Sequence, residues 1–347
     1  MTTQIQPNQV EAQMMPNRNA IINGGMDVWQ RGTATLTNPV ISTYFPDRFN
    51  AVHVIGDGTF NLLQSVETPS AGFPFQYSLQ HDTTAAETAV AASELATLAY
   101  YIEGYDFKRF ERQTATLSFW VKAVKTGIYC VAFRNNAANM AYVSEYTISS
   151  ANTWEKKTIT LTFNSGGTFL YTNGIGLRIT WAIMCGTTRQ IATANKNTWQ
   201  AGDYWATDAQ VNGMDNVANN FYLTGVQMEL GSVATPFEQR PYATELALCQ
   251  RYYEVGPFYQ WRSPATSLQS FCWNHEFKVT KRTTPSSYVY SYGIGTAQNI
   301  RYRNTTDLPV TILTNAGAEG FGFYLTTAYS MTADDWLQWL WNASAEL

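Results

Sequence analysis

The chain is short of charge, histidine, cysteine, long apolar runs and helical periodicity, and each shortage removes a class of function. Of its 347 residues, 14% are Asp, Glu, Lys or Arg, well below the usual quarter or so. With 14% aromatics beside them, the chain is no disordered polymer, which would carry high charge and few rings. Net charge is −4 and Lys and Arg are scattered. There is no basic stripe for phosphate, so no nucleic-acid partner is expected. No apolar run approaches the roughly 18 residues of a membrane span, so no membrane insertion is expected. The first residues lack the apolar centre of a secretion signal. The four cysteines, Cys130, Cys185, Cys249 and Cys272, lie far apart with no CxxC pair, and read as reduced core residues. "CWNH", Cys272 to His275, is half a zinc site with no second cluster nearby.

Catalytic motifs are missing as well. The sequence has no GxSxG elbow, no HExxH, no P-loop and no GxGxxG. His53, His81 and His275 stand in no triad context. The acidic stretches at Asp334–Asp335 and Asp106 are the only hint of glycoside hydrolysis, which needs two carboxylates facing one another across a sugar. The expectation is a protein that is not an enzyme and has no cofactor, with a structural calcium ion as the one inorganic candidate. Asn23, Asp27 and Glu229 are the oxygen ligands for it, against the plainer reading that they are turn and edge polar residues.

What is present is period-two alternation. "TATLSFWVKAV" sets Leu117, Phe119, Val121 and Ala123 on one face. "TITLTF" does so with Ile159, Leu161 and Phe163. "GIGLRITWAI" does so with Ile175, Leu177, Ile179, Trp181 and Ile183, and "FYLTGVQMEL" with Tyr222, Thr224, Val226, Met228 and Leu230. These are half-buried strands separated by turn clusters. The fold class is all-β: a β-sandwich jelly roll, then a smaller C-terminal β domain, joined by a short helix. The division is a polar arm at 1–18, the jelly roll at 19–240, a linker and short helix at 241–253, and the C-terminal domain at 254–347. Pro236 and Pro241 stiffen the joint. Two stretches favour helix. "AAETAVAASELATLAYYIEG", 85–104, is Ala-rich, with the preferred alternative that its second half, "LAYYIEG", is a strand. In "TELALCQRYY", Thr244 is the expected cap and Leu246, Cys249 and Tyr253 the buried face.

Aromatics carry the binding expectation, because flat rings stack on sugars and leave polar tips for hydrogen bonds. Tyr259, Trp261 and Arg262, in "VGPFYQWRSP", are the candidate glycan-binding residues. Tyr288, Tyr290 and Tyr292 share one strand face, where the competing reading is a small core or a subunit interface.

"NRNAIINGGMDVWQRG" followed by "YFPDRFNA" resembles the opening of a family of bacteriophage tail-fibre and virion structural proteins. "LSFWVKAVKTGIYCVAFRN" and "YTISSANTWEKKTITL" resemble its middle strands, "LTGVQMELGSVATPFEQRPYATELALCQRYYE" its most specific block, and "NASAEL" its ending. The resemblance runs from about residue 17 to 255 and returns at the end. It leaves out residues 1–16 and most of 256–335. It implies a non-enzymatic virion component with a carbohydrate-binding-like jelly roll. It further implies a homotrimer, attached to other virion proteins by an N-terminal arm (Ile5, Pro7, Val10, Met14, Met15) and meeting host surface polysaccharide at its far end. No receptor-contacting residue carries over. A long repetitive shaft is lacking, so a short tail or head fibre is expected. The alternatives are a decoration protein without a receptor role and a glycan depolymerase on the same scaffold.

Overall fold

The computed structural model describes residues 17–69, 75–163, 166–262, 267–269, 272–291, 297–303, 305–312, 317–326, 329–332 and 334–347. The arm residues Ile5, Pro7, Val10, Met14 and Met15, and Tyr292, lie outside them. The chain divides into two compact units, residues 1–242 with Leu347, and residues 243–346.

The first unit is a β-sandwich built on ten strands of six or more residues. These are β1 (Phe49–Val54), β2 (Thr59–Ser65), β3 (Ser78–Ala85), β4 (Leu95–Glu103), β5 (Thr114–Ala123), β6 (Gly127–Arg134), β7 (Met140–Ile148), β8 (Glu155–Thr162), β9 (Ile175–Cys185) and β10 (Asn220–Leu230). One antiparallel sheet runs β2-β3-β10-β5-β8 and the other β7-β6-β9-β4-β1, each extended by short edge strands. The alternation expected for β5 and β8 is realised. Leu117, Phe119, Val121, Ala123, Ile159, Leu161 and Phe163 all enter the core between the sheets. So do Leu177, Ile179, Trp181 and Ile183 of β9, while Ile175 at its start is only half-buried. Trp181 is fully buried and bridges the layers. Its ring lies 6.4 Å from Phe49 of one sheet and 5.8 Å from Phe119 of the other.

At 85–104 the strand alternative holds and the helix does not form: β4 takes the second half, with every residue buried. It is a central strand between β1 and β9, with Leu98, Tyr100 and Ile102 in the sandwich core and Leu95 in a second apolar cluster. Alanine's helix preference, under about 1 kcal/mol per residue, cannot compete with burial on both faces. The single face read along β10 is broken. A register shift separates Thr224 from Gln227, and Gly225 between them has φ +60°. Such a bulge inserts a residue and exchanges the two faces. Phe221 and Leu223 therefore face the core before it, and Val226 and Met228 after it. Tyr222 is sent outward, where the Lys122 ammonium lies 4.1 Å from its ring centre, and Leu230 is exposed.

The prolines at 236 and 241 frame a clasp rather than a bare connector. Glu238 accepts hydrogen bonds from the backbone N–H groups of Asn17 (2.7 Å) and Asn19 (2.8 Å), and pairs with Arg240 at 3.5 Å. Arg240 donates to the carbonyls of Asn19 and Ile21. Buried Asn19 donates to the Val226 carbonyl (3.2 Å), and its own oxygen accepts from Ile21 N–H (2.9 Å) and Met228 N–H (3.0 Å). Backbone bonds Ala20 to Met228 and Val226 to Gly24 complete the seam. The motif "NRNAIING" and the block "GVQMELGSVATPFEQRP" are two halves of one hydrogen-bonded structure.

A helix, Tyr242–Gln250, follows Pro241. It begins two residues before the expected cap, so Thr244 sits inside the first turn. Cys249 is buried, Leu246 is half-buried, and Tyr253 belongs to the next strand. The second unit consists of β11 (Tyr253–Val255), β12 (Tyr259–Arg262), β13 (Cys272–Glu276), β14 (Ser286–Ser291), β15 (Asn299–Tyr302), β16 (Thr306–Ile312), β17 (Gly320–Leu325) and β18 (Trp336–Ser344), with one further short pair. The long β18 is its axis, with β11 and β12 on one side and β14 and β15 on the other. From β15 the sheet continues through β16 and β17 to β13. Leu337, Trp339, Trp341 and Ala343 of β18 point into the core of this curled sheet. Leu340 faces outward, beside Tyr288 and Tyr290 on β14. Among the described residues, no helix is long and apolar enough to cross a membrane.

Candidate functional site

The curled sheet of the second unit ends in β12 on one side and β13 on the other, and aromatic rings meet where these ends approach. β12 alternates, so Tyr259 and Trp261 turn inward, half-buried, while Gln260 and Arg262 turn outward and are exposed. On β13, Trp273 is half-buried and His275 buried, with Asn274 and Glu276 exposed between and after them. Each wall is stiffened by its cross-strand partner. Tyr259 stacks on Trp339 of β18 at 5.7 Å and 14°. Trp273 stacks on Phe323 of β17 at 5.2 Å and 27°. Across the gap, Tyr259 lies 4.5 Å from His275, Trp261 lies 6.2 Å edge-on to Trp273, and Trp273 lies 5.2 Å from Trp339.

Between these walls is a cleft of about 540 Å³. It is lined by Tyr259, Gln260, Trp261, Trp273, Asn274, His275, Glu276 and Trp339. That volume is within the roughly 300–1,000 Å³ of small-ligand sites. The Trp339 indole N–H donates to His275 Nε2 at 3.1 Å, which fixes His275 as a neutral ring with its proton on Nδ1. Burial lowers the His275 pKa to about 4, so the ring stays neutral at ordinary pH. The cleft thus offers half-buried ring faces, one fixed neutral imidazole, and exposed amide and carboxylate groups at Gln260, Asn274 and Glu276. Such a surface can stack on an apolar face and hydrogen-bond around its rim.

Of the three expected glycan-binding residues, the structure brings Tyr259 and Trp261 together in this cleft. Arg262, exposed at the end of β12, is not among its lining residues. Trp273, His275 and Trp339 were not anticipated. The alternation Trp273–His275–Phe277 was the available signal, but their meeting with Tyr259 and Trp261 depends on the closure of the sheet.

The expected calcium ligands are held differently. The Asn23 amide donates to the carbonyls of Val28 (2.9 Å) and Asp47 (3.0 Å), and its oxygen accepts from Val28 N–H. The Glu229 carboxylate accepts from Gln227, from Thr235 N–H and from the Thr235 hydroxyl. The Asp27 carboxylate lies against Gly25. Asn23 and Glu229 are thus committed to separate protein partners. Among the described residues, no group of three or more His, Cys, Asp or Glu side chains comes together to hold a metal ion. Asp335, half of the acidic pair at Asp334–Asp335, accepts from the Tyr302 hydroxyl (2.6 Å) and Thr332 N–H (2.7 Å) and pairs with Arg303. Cys130, Cys185 and Cys249 are buried and in no disulfide.

No family model and no curated protein matches the chain. Among solved structures, the enzymatically active domain of tailspike protein 4 of bacteriophage CBA120 is similar at 12% identity and a TM-score of 0.35 over 62% of this chain. The match spans only 22% of that tailspike chain. A putative sugar binding protein from Bacteroides thetaiotaomicron is similar at 12% identity and a TM-score of 0.33, over 61% of this chain and 100% of its own. The family 11 carbohydrate-binding module of a Clostridium thermocellum cellulosomal cellulase is similar at 10% identity and a TM-score of 0.31, over 59% of this chain and 97% of its own. At these values the likeness is one of strand arrangement and says nothing about ligands.

Proposed function

We propose that the chain is a non-catalytic adhesion component of a phage particle, and that its C-terminal unit engages host surface saccharide through the cleft between β12 and β13. The observation that carries the binding half is the set of half-buried rings of Tyr259, Trp261 and Trp273, with Trp261 edge-on to Trp273, Tyr259 tilted against His275, and hydrogen-bonding groups at the rim. Sugar rings present apolar C–H faces and a hydroxyl periphery, and this surface complements both. The virion half rests on the sequence resemblance, whose opening motif and most specific block meet in the clasp. In this reading the arm, residues 1–18, attaches the protein to the particle and three copies assemble. Individually weak sites then act together by avidity.

The test is glycan-array binding by the full chain, followed by calorimetry on any glycan bound. Trp273→Ala is expected to abolish binding and Arg262→Ala to leave it within about twofold, since a surface side chain outside the cleft adds little. Binding that survives Trp273→Ala would remove the cleft from the proposal. A second reading, a decoration protein without a receptor role, is favoured by one observation. The outer face of β14 and β18 exposes Tyr288 and Leu340, which suits a subunit contact. A phage carrying Trp273→Ala that adsorbs normally would favour it.

A further inference from the structure

A second hollow, about 270 Å³, adjoins the cleft. It is lined by Asn274, His275, Glu276, Glu319, Gly320, Phe321 and Gly322. Three of these residues, Asn274, His275 and Glu276, also line the larger cleft. The two spaces therefore meet along β13, one reaching toward β12 and the other toward β17. Two glycines line the second. Gly322 pairs with Asn274 and Gly320 with Glu276 across the β13–β17 ladder. Paired residues share a face of the sheet, so the face that carries Asn274 and Glu276 has two glycines opposite them. A β-carbon at Gly320 would stand 2.5 Å from the His275 carbonyl oxygen. Phe321 and Phe323, between and beside the glycines, point into the core. The result is a shallow trough bordered by Asn274, Glu276 and Glu319.

Two properties follow. At about 270 Å³ the trough is below the roughly 300–1,000 Å³ of independent ligand sites, so it extends the cleft rather than replacing it. Among the described residues, the lining of both spaces includes two carboxylates, Glu276 and Glu319, and no lysine or arginine; the cations next to it in sequence, Arg262 and Lys278, are exposed and outside the lining. An anionic group placed there would meet like charge at short range.

Resting on the saccharide reading above, we infer that the ligand is an oligosaccharide of at least two units that crosses β13, one unit against the rings of the cleft and the next in the glycine-floored trough. We infer also that it is neutral or amino-bearing rather than acidic. The trough sets chain length and the carboxylates set charge.

The experiment is titration calorimetry of the full chain with each array-positive glycan, its mono- to hexasaccharide ladder, and uronate-bearing congeners. Affinity should rise about tenfold, or 1.4 kcal/mol, on going from one unit to two or three. Uronate congeners should bind at least about fivefold more weakly. Gly322→Leu should flatten the length dependence while leaving the single-unit affinity in place. Glu319→Gln alters only an exposed side chain, so it tests the charge rule without touching the core, and it should narrow the penalty on uronates. A flat ladder, a Gly322→Leu protein with wild-type length dependence, or tighter binding of uronates would overturn the inference while the cleft reading stands. No glycan bound at all, or binding indifferent to Trp273→Ala, would sink both.

Discussion

Replacing Asn19 by alanine should weaken the first unit far more than loss of one surface amide. Asn19 is 3% exposed and its side chain closes three hydrogen bonds, to Val226, Ile21 and Met228. Alanine would leave one carbonyl and two N–H groups without those partners in a buried seam. Each such group costs about 1–3 kcal/mol, and partial relaxation brings the sum to about 3–5 kcal/mol. Domains are stable by only about 5–15 kcal/mol, so this is a large fraction of the total. Each kcal/mol moves the midpoint of a unit this size by about 2–4 °C, which gives a fall of about 6–20 °C. Thermal and urea unfolding, followed by near-ultraviolet circular dichroism, would measure it. A loss below about 1 kcal/mol would refute the view that Asn19 holds the two motifs together.

Three further outcomes are expected. His81 is fully buried on Phe60 at 4.3 Å, and burial lowers its pKa to about 3 from 6.5. The unfolded chain therefore binds the proton first: stability is complete above pH 6.5 and falls by about 1.4 kcal/mol per pH unit from there toward 3, a slope that His81→Phe should reduce by one proton in acid-unfolding titrations. Gly225→Ala forces a β-carbon to φ +60° and within 2.7 Å of Phe75 and 2.9 Å of Trp120; it should cost more than about 1 kcal/mol in denaturant melts, and a neutral result would mean the bulge relaxes freely. Lys281 and Glu254 form a fully buried ion pair, so Lys281→Met should destabilise the second unit by about 3–5 kcal/mol, while Lys281→Met with Glu254→Leu should recover most of the loss; equal losses in the single and double variants would contradict this.

The legible part of the fold was the part written in single strands. β5 and β8 each show one uninterrupted alternation, and each places that face in the core. β10 carries the same pattern, but a glycine bulge exchanges its faces halfway, and the glycine in "LTGVQ" is the only local mark of it. At 85–104, composition favoured helix, while the deciding term was burial between β1 and β9, which depends on residues far along the chain. The candidate site divides the same way. Tyr259 and Trp261 are conspicuous in sequence. Their opposing wall comes from Trp273 and His275, its backing from Trp339, and the trough from Gly320 and Gly322. These meet through sheet curvature and register rather than through spacing. Arg262 stood beside Trp261 in sequence, yet it sits exposed at the end of β12, outside the cleft lining.

The clasp has a mechanical meaning. Asn17 and Glu238 are joined at 2.7 Å although 221 positions separate them. The segment before residue 17 and the segment after residue 240 therefore enter and leave the sandwich at one place. A tensile load applied between those two ends would first meet the Glu238 and Arg240 bonds, and Asn19 would pass part of it to β10 alone. Most strands of the sandwich then lie beside the load path rather than along it. The first resistance to pulling is that of a short hydrogen-bonded seam, whatever the size of the hydrophobic core beside it.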